Sequence, residues 1–296
     1  MLPIIFNLDS DPSLFSSLAS ALPAKMGELE QRRFPDNENY LRVNSDCQGK
    51  DIFIFCNLFR PDDKILRLIF LTDTLKAMGA NKLVLITPYL PYMRQDKQFL
   101  SGECVSSKPF SKLLSSYLDG LITMDPHLHR YHALDDIYTL HSKVVSAAPL
   151  IAHWIEQHIP NPILIGPDIE SEQWVSQVAT LAKAPYEILN KIRHGDKDVE
   201  ISTPSNSDLQ HKTPVLVDDI ISSGRTMIET VKRLQEQGMK KPTCIGVHGI
   251  FSGEAYQALA AIADIVTTEC IPHPSNRIEI AQPIADAANE LLNELT

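Results

Sequence analysis

The sequence predicts an α/β protein built on mainly parallel sheets, and two observations carry that prediction. Short continuous apolar runs recur along the 296 residues: Ile52 to Phe55, Leu83 to Ile86, Leu121 to Met124, Ile163 to Ile165, Val215 to Val217 and Cys244 to Val247. A strand covered on both faces must be apolar throughout, whereas a half-solvated strand alternates. Between the runs lie longer amphipathic segments, and strands alternating with helices read as βαβ units.

Taken in order, Ile52 to Phe55 is followed by a helical pattern over Lys64 to Ala80, with Ile65, Leu66, Ile69, Phe70 and Leu75 on its apolar side and Gly79 near its end. Leu83 to Ile86 ends at Thr87, Leu121 to Met124 at Asp125 and His127, and Ile163 to Ile165 shortly before Asp168. Val215 to Val217 runs into Asp218 and Asp219. A second helical pattern spans Thr226 to Gln237, carrying Met227, Ile228, Val231 and Leu234, with Lys232 and Arg233 late and Gly238 after it. Polar residues able to do chemistry therefore follow the apolar runs, and open α/β sheets bind ligands beyond the carboxyl ends of their strands. A boundary near residue 145 divides the chain into expected domains 1–145 and 146–296. No convincing sequence repeat and no low-complexity segment is found.

Composition narrows the classes. Hydrophobic residues at 44% and charged residues at 22% allow a packed core. The net charge of -10, from 27 Lys+Arg against 37 Asp+Glu, argues against nucleic acid or an anionic membrane as the main partner. A small polyanion is still compatible, because backbone N–H groups and a few cations suffice to hold one. The 5 cysteines include no CxxC pair, which with the absence of a signal-like N-terminus or a membrane-length apolar run predicts a cytoplasmic chain with reduced thiols.

The most informative string is VLVDDIISSGRT, Val215 to Thr226. A buried strand leads into two carboxylates, and then a small hydroxyl-rich turn, Ser222, Ser223, Gly224, Arg225 and Thr226, opens a helix. The N–H groups and field at a helix N-terminus favour an anion such as phosphate. Gly224 lets the backbone approach closely. Asp218 and Asp219 can accept hydrogen bonds from vicinal hydroxyls. Phosphate donors beside diol acceptors describe a cradle for ribose 5-phosphate. A capped helix after a strand, with acids solvated at the sheet rim, is the plainer reading of a lone acid pair.

This string resembles the phosphoribosyl diphosphate (PRPP) motif shared by type I phosphoribosyltransferases and ribose-phosphate diphosphokinases. Other segments separate the two. FPDNE, Phe34 to Glu38, resembles the F-x-D-x-E nucleotide segment of the diphosphokinases, and YMRQDK, Tyr92 to Lys97, their Y-x-R-Q-D segment. MDPH, Met124 to His127, resembles their D-x-H element; GPD, Gly166 to Asp168, their P-D; and NKIR, Asn190 to Arg193, the K-x-R of their catalytic loop. Each match is short, but together they fall in family order over most of the chain.

The resemblance implies two type I phosphoribosyltransferase-type lobes, each a mainly parallel sheet flanked by helices. It implies an ATP:ribose 5-phosphate diphosphotransferase that makes PRPP and AMP. Phe34, Asp36, Glu38, Arg94 and Gln95 would hold ATP. Asp218, Asp219 and Ser222 to Thr226 would hold ribose 5-phosphate. His127 and Asp168 would place Mg²⁺, and Lys191 and Arg193 would act in catalysis. A homo-oligomer, with ATP bound across a subunit contact, is implied too. His129 and His132 complete an H-x-H-x-x-H pattern that zinc could also use, but a phosphate-rich oxygen site suits Mg²⁺, and they are given no role. A phosphoribosyltransferase and a non-catalytic regulatory homologue stay open as alternatives. Ser222 and Ser223 replace a common Asp-Thr, Asp168 lacks a following Gly-Gly, and DPHLHRY departs from the D-L-H-x-x-Q form. These features look like the divergent, archaeal-type branch, and they place inherited regulation by phosphate or ADP in question.

Overall fold

The computed structural model describes residues 2–9, 13–167, 171–189, 191–194, 198–201 and 211–295. The chain forms two compact units, Met1–Val145 with Ile280–Thr296, and Ser146–Glu279.

In the first unit the order is β1 (Ile4–Asn7), α1 (Ser13–Ala21), β2 (Lys25–Met26), β3 (Leu29–Arg33), β4 (Asn39–Val43), β5 (Ile52–Phe55), α2 (Asp62–Ala77), β6 (Leu83–Ile86), α3 (Ser107–Tyr117), β7 (Gly120–Met124) and β8 (His141–Val145). Six strands form one parallel sheet in the order β2-β1-β5-β6-β7-β8, and β3 and β4 form a separate antiparallel hairpin. Every residue of β5, β6 and β7 is buried, which is why these runs are continuously apolar. Leu68, Leu71 and Leu75 of α2 and Phe110 and Leu114 of α3 pack in one core with Ile54, Leu85 and Leu121 of the strands.

In the second unit the order is α4 (Ala148–His158), β9 (Pro162–Gly166), α5 (Glu172–Leu181), β10 (Tyr186–Ile188), β11 (Lys191–His194), β12 (Asp198–Ile201), β13 (Thr213–Ile221), α6 (Arg225–Glu236), β14 (Thr243–Gly249), α7 (Ala255–Ala260), β15 (Asp264–Thr268) and β16 (Asn276–Ile278). Its parallel sheet runs β10-β9-β13-β14-β15-β16, and β11 pairs antiparallel with β12. Strand by strand this is the order of the first sheet, with the hairpin inserted at the same point. The repeat is one of topology and leaves no trace in residue identity.

All six predicted strands and both predicted helices are present. The structure differs at the end of the chain, which the sequence expectation assigned to the second domain. There α8 (Ala281–Leu295) belongs to the first unit and packs on β6, β7, β8 and α1. Its buried face, Ile284, Ala285, Ala288 and Leu291, explains why. Gly120 of β7 leaves room for the helix, since a β-carbon there would lie 3.1 Å from Leu291 Cδ2. Lys143 pairs with Glu294 at 2.7 Å across the same contact.

Candidate active site

In the second unit the acid pair lies on the strand rather than after it. β14 continues to Gly249 and pairs β13 as far as Ile221, with Asp218 opposite Gly246. The apolar run stops at Val217 because the side chains at Asp218, Asp219 and Ile220 are only partly buried, while the backbone ladder goes on. Asp218 Oδ1 accepts the Asp219 N–H at 2.9 Å. The turn then closes through Gly224, the N-cap of α6, at φ 64°. That left-handed conformation disfavours any side chain. Ile228 N–H donates to Gly224 O at 2.8 Å and closes the first turn. The leading N–H groups of α6 and its positive end face the turn. Arg225 and Thr226 are its first residues, with Ser222 and Ser223 just before.

Lys191 and Arg193 belong to β11, whose register sets Lys191 against Ile201 and Arg193 against Val199 of β12. The resemblance placed them in a catalytic loop; here they stand on an extended strand paired in a hairpin. Asp168 lies outside the described residues, and β9 ends at Gly166.

In the first unit, FPDNE is the tip of the β3–β4 hairpin. Phe34 N–H donates to Glu38 O at 2.9 Å, and Glu38 N–H donates to Asp36 Oδ1 at 3.3 Å. Phe34 is 39% exposed, so it is not a core residue. Its ring meets Tyr40 edge-on at 5.8 Å, and the Arg32 guanidinium lies 4.6 Å from the Phe34 centroid and 4.0 Å from that of Tyr40.

Arg94 and Gln95 follow β6 on a segment anchored at both ends. At one end Tyr92 adopts φ 64°, packs on Phe110 at 4.8 Å and donates to Asp62, a bond that pushes the Tyr92 phenol up to about 12. At the other, Ser107 N–H and hydroxyl donate to Gln95 O at 3.4 and 3.2 Å. His127 follows β7 through Asp125, itself at φ 33°.

Sequence reasoning gave no part to Asp96, His129 or Arg130, and these join the two segments. Arg130 donates to both oxygens of the buried Asp96 at 3.0 Å, His129 Nδ1 lies 2.7 Å from Arg130, and the His129 ring stacks on His127 at 6.0 Å. No local signal in the sequence singled out Asp96, because its partner Arg130 is 34 residues away. Among the described residues no three His, Cys, Asp or Glu side chains gather as a metal cage. In the first unit, Phe34, Asp36 and Glu38 stand at the tip of the β3–β4 hairpin, and Arg94, Gln95 and His127 follow β6 and β7; Asp218 to Thr226 belong to the second unit.

Comparisons with known proteins bear on this arrangement. Residues 3–117 match the model of the N-terminal domain of ribose phosphate pyrophosphokinase, and residues 140–286 match the phosphoribosyl transferase domain. A ribose-phosphate pyrophosphokinase from Methanopyrus kandleri is 31% identical over 278 residues, covering 93% of this chain and 94% of that one. The chain belongs to the ribose-phosphate pyrophosphokinase family. A second pyrophosphokinase, from Sulfolobus acidocaldarius, is 31% identical over 93% of this chain and 95% of its own. Both relatives are archaeal, as the divergent motifs suggested. The fold is that of phosphoribosylpyrophosphate synthetase from Mycobacterium smegmatis, at a TM-score of 0.86 and 23% identity over 99% of this chain and 100% of that one. No helix among the described residues is long and apolar enough to cross a membrane.

Proposed function

We propose that this pyrophosphokinase-family chain transfers the β,γ-diphosphoryl group of ATP to O1 of ribose 5-phosphate, giving PRPP and AMP. The observation that carries the reading is the β13–Gly224–α6 turn: two carboxylates on a strand end, then hydroxyls and helix N–H groups around a left-handed glycine. Ser222 to Thr226 hold the 5-phosphate, and Asp218 and Asp219 accept from the ribose hydroxyls. Phe34 offers an exposed ring for adenine to stack on, with Asp36, Glu38, Arg94 and Gln95 as its polar partners. O1 attacks the β-phosphorus, the new O–P bond forms as the bond to the α-phosphate oxygen breaks, and AMP leaves.

The protein's part is positioning and charge stabilisation. Lys191 and Arg193 stabilise charge on the transferring group. His127 with Asp168 fits Mg²⁺, which binds oxygen, keeps waters and needs few protein ligands. When bound, the cation neutralises charge on the β- and γ-phosphates. A homo-oligomer in the cytoplasm completes the proposal. The phosphoribosyltransferase alternative is not favoured, since relatives matching the chain nearly end to end are pyrophosphokinases. The test is AMP release from ATP with and without ribose 5-phosphate. Release that depends on the sugar supports the reading, and release independent of it, or PRPP consumption with a nucleobase, refutes it.

A further inference from the structure

We infer that Phe251 is a positioning residue for ribose 5-phosphate, the centre of a strut that aims the amides of the phosphate turn from behind. The inference rests on the reading of Ser222 to Thr226 as the 5-phosphate site. The strut follows β14 in GIFSG, Gly249 to Gly253, a segment to which the sequence assigned no role.

Three consecutive N–H groups there reach the start of the turn. Ile250 and Phe251 both donate to Ile221 O at 3.0 Å, and Ser252 donates to Ser222 O at 3.1 Å. A trans peptide holds its C=O and the following N–H on opposite sides of the plane. Pinning the carbonyls of Ile221 and Ser222 towards 250–252 therefore turns the N–H groups of Ser222 and Ser223 the other way. Those are amides of the turn that receives the phosphate. A nest of aimed N–H groups binds an anion only while it is preorganised.

The strut is itself held against its own preference. Phe251 has φ 44°, a region that bulky residues rarely adopt. Its ring is fixed by Tyr256 at 5.3 Å and His273 at 4.5 Å, and it packs against the core that contains Ile221 and Met227. Tyr256 meets His273 at 4.5 Å, and His273 Nδ1 lies 2.7 Å from Ser275 Oγ. A β-carbon on Gly249 would lie 2.6 Å from Phe251 Cε2, so the ring has no slack on that side. Aromatic packing thus keeps residue 251 in a strained conformation from which its N–H, and those beside it, reach the turn.

The test is steady-state kinetics of Phe251→Ala, Phe251→Leu, Phe251→Gly and Phe251→Tyr with melting curves, and with Asp218→Asn as control. Phe251→Ala and Phe251→Leu are expected to raise the KM for ribose 5-phosphate about 10- to 100-fold, the cost of a misplaced binding group. The kcat and the KM for ATP stay nearly unchanged, and Phe251→Tyr restores the affinity. Phe251→Gly, which removes strain and ring together, behaves like Phe251→Ala. Wild-type affinity in Phe251→Gly would overturn the role of the ring. A loss shared equally by kcat and both KM values, tracking the melting temperature, would overturn positioning in favour of plain stability. If Asp218→Asn leaves the ribose 5-phosphate KM unchanged, the site reading itself has failed. If Asp218→Asn raises it and Phe251→Ala does not, the strut alone has failed.

Discussion

The two sheets share a strand order, but the turn after the third strand serves opposite ends in each. In the first unit this turn follows β5, and the protein fills it with its own oxygens. Asp9, 8% exposed at its side chain, accepts the Asn57 N–H and pairs with Lys64 at 2.8 Å. Leu58 N–H donates to Thr87 Oγ1 at 3.1 Å, and Phe59 N–H donates to Asn57 Oδ1 at 3.0 Å. An internal carboxylate thus takes up the N–H at the head of this turn. In the second unit the equivalent turn follows β13. There the acids precede the turn on the strand, the turn has hydroxyls and a left-handed glycine, and its carbonyls are pinned from behind. One topology thus gives a turn closed by the protein's own carboxylate and a turn that the proposed function assigns to an anion, and side-chain chemistry separates them.

The hairpins divide in a similar way. The β3–β4 hairpin presents Phe34 at its tip, and the β11–β12 hairpin contains Lys191 and Arg193. The largest expected effect separates them. Lys191→Ala should cost about 3–4 kcal/mol of transition-state stabilisation, by comparison with one oxyanion donor. Turnover falls by orders of magnitude while substrate binding persists, because only contacts stronger in the transition state raise kcat. Wild-type turnover, or lost binding with normal turnover, would remove Lys191 from the chemistry.

Next is the closed turn. Asp9→Asn leaves Lys64 largely buried without its counter-charge, and unpairing a buried ion costs about 3 kcal/mol of stability. Chemical denaturation should show that loss, with the ribose 5-phosphate KM unchanged. A change in that KM instead would mean that the first turn shares in binding.

Much of this contrast could be read from the residues, and some could not. The central strands were legible because burial on both faces leaves only apolar side chains, as in Ile52 to Phe55. The edge strand β2 is two exposed residues, Lys25 and Met26, and has no such signature. β13 was read four residues short at its carboxyl end, since that last stretch is stabilised by backbone pairing that no side chain reports. The return of α8 to the first unit was invisible, because its apolar face would suit any sheet. The turn from Ser222 to Thr226 was legible as a turn, as strand, acids, glycine and helix are contiguous in sequence. Asp96 with Arg130, Asp9 with Lys64, and Phe251 with His273 are contacts between distant segments, and no local pattern encodes them.

Two smaller effects sharpen the comparison. Asp218→Asn removes a charged acceptor from the ribose hydroxyls, a bond that contributes about 1.5–3 kcal/mol. The KM for ribose 5-phosphate should rise far more than that for ATP, and an equal rise in both would break the assignment. Phe34→Ala should weaken ATP by about 1–3 kcal/mol, the range for stacking a base on an aromatic ring. Because Phe34 is partly exposed at a hairpin tip, the melting temperature should barely move. A protein that melts early with normal ATP affinity would make Phe34 structural.

The most direct test counts ribose 5-phosphate sites by calorimetric titration, with Mg²⁺ and a non-transferable ATP analogue present. The contrast between the turns requires one equivalent per chain, weakened in Asp218→Asn and retained in Asp9→Asn. Two equivalents per chain, or wild-type affinity in Asp218→Asn, would contradict it.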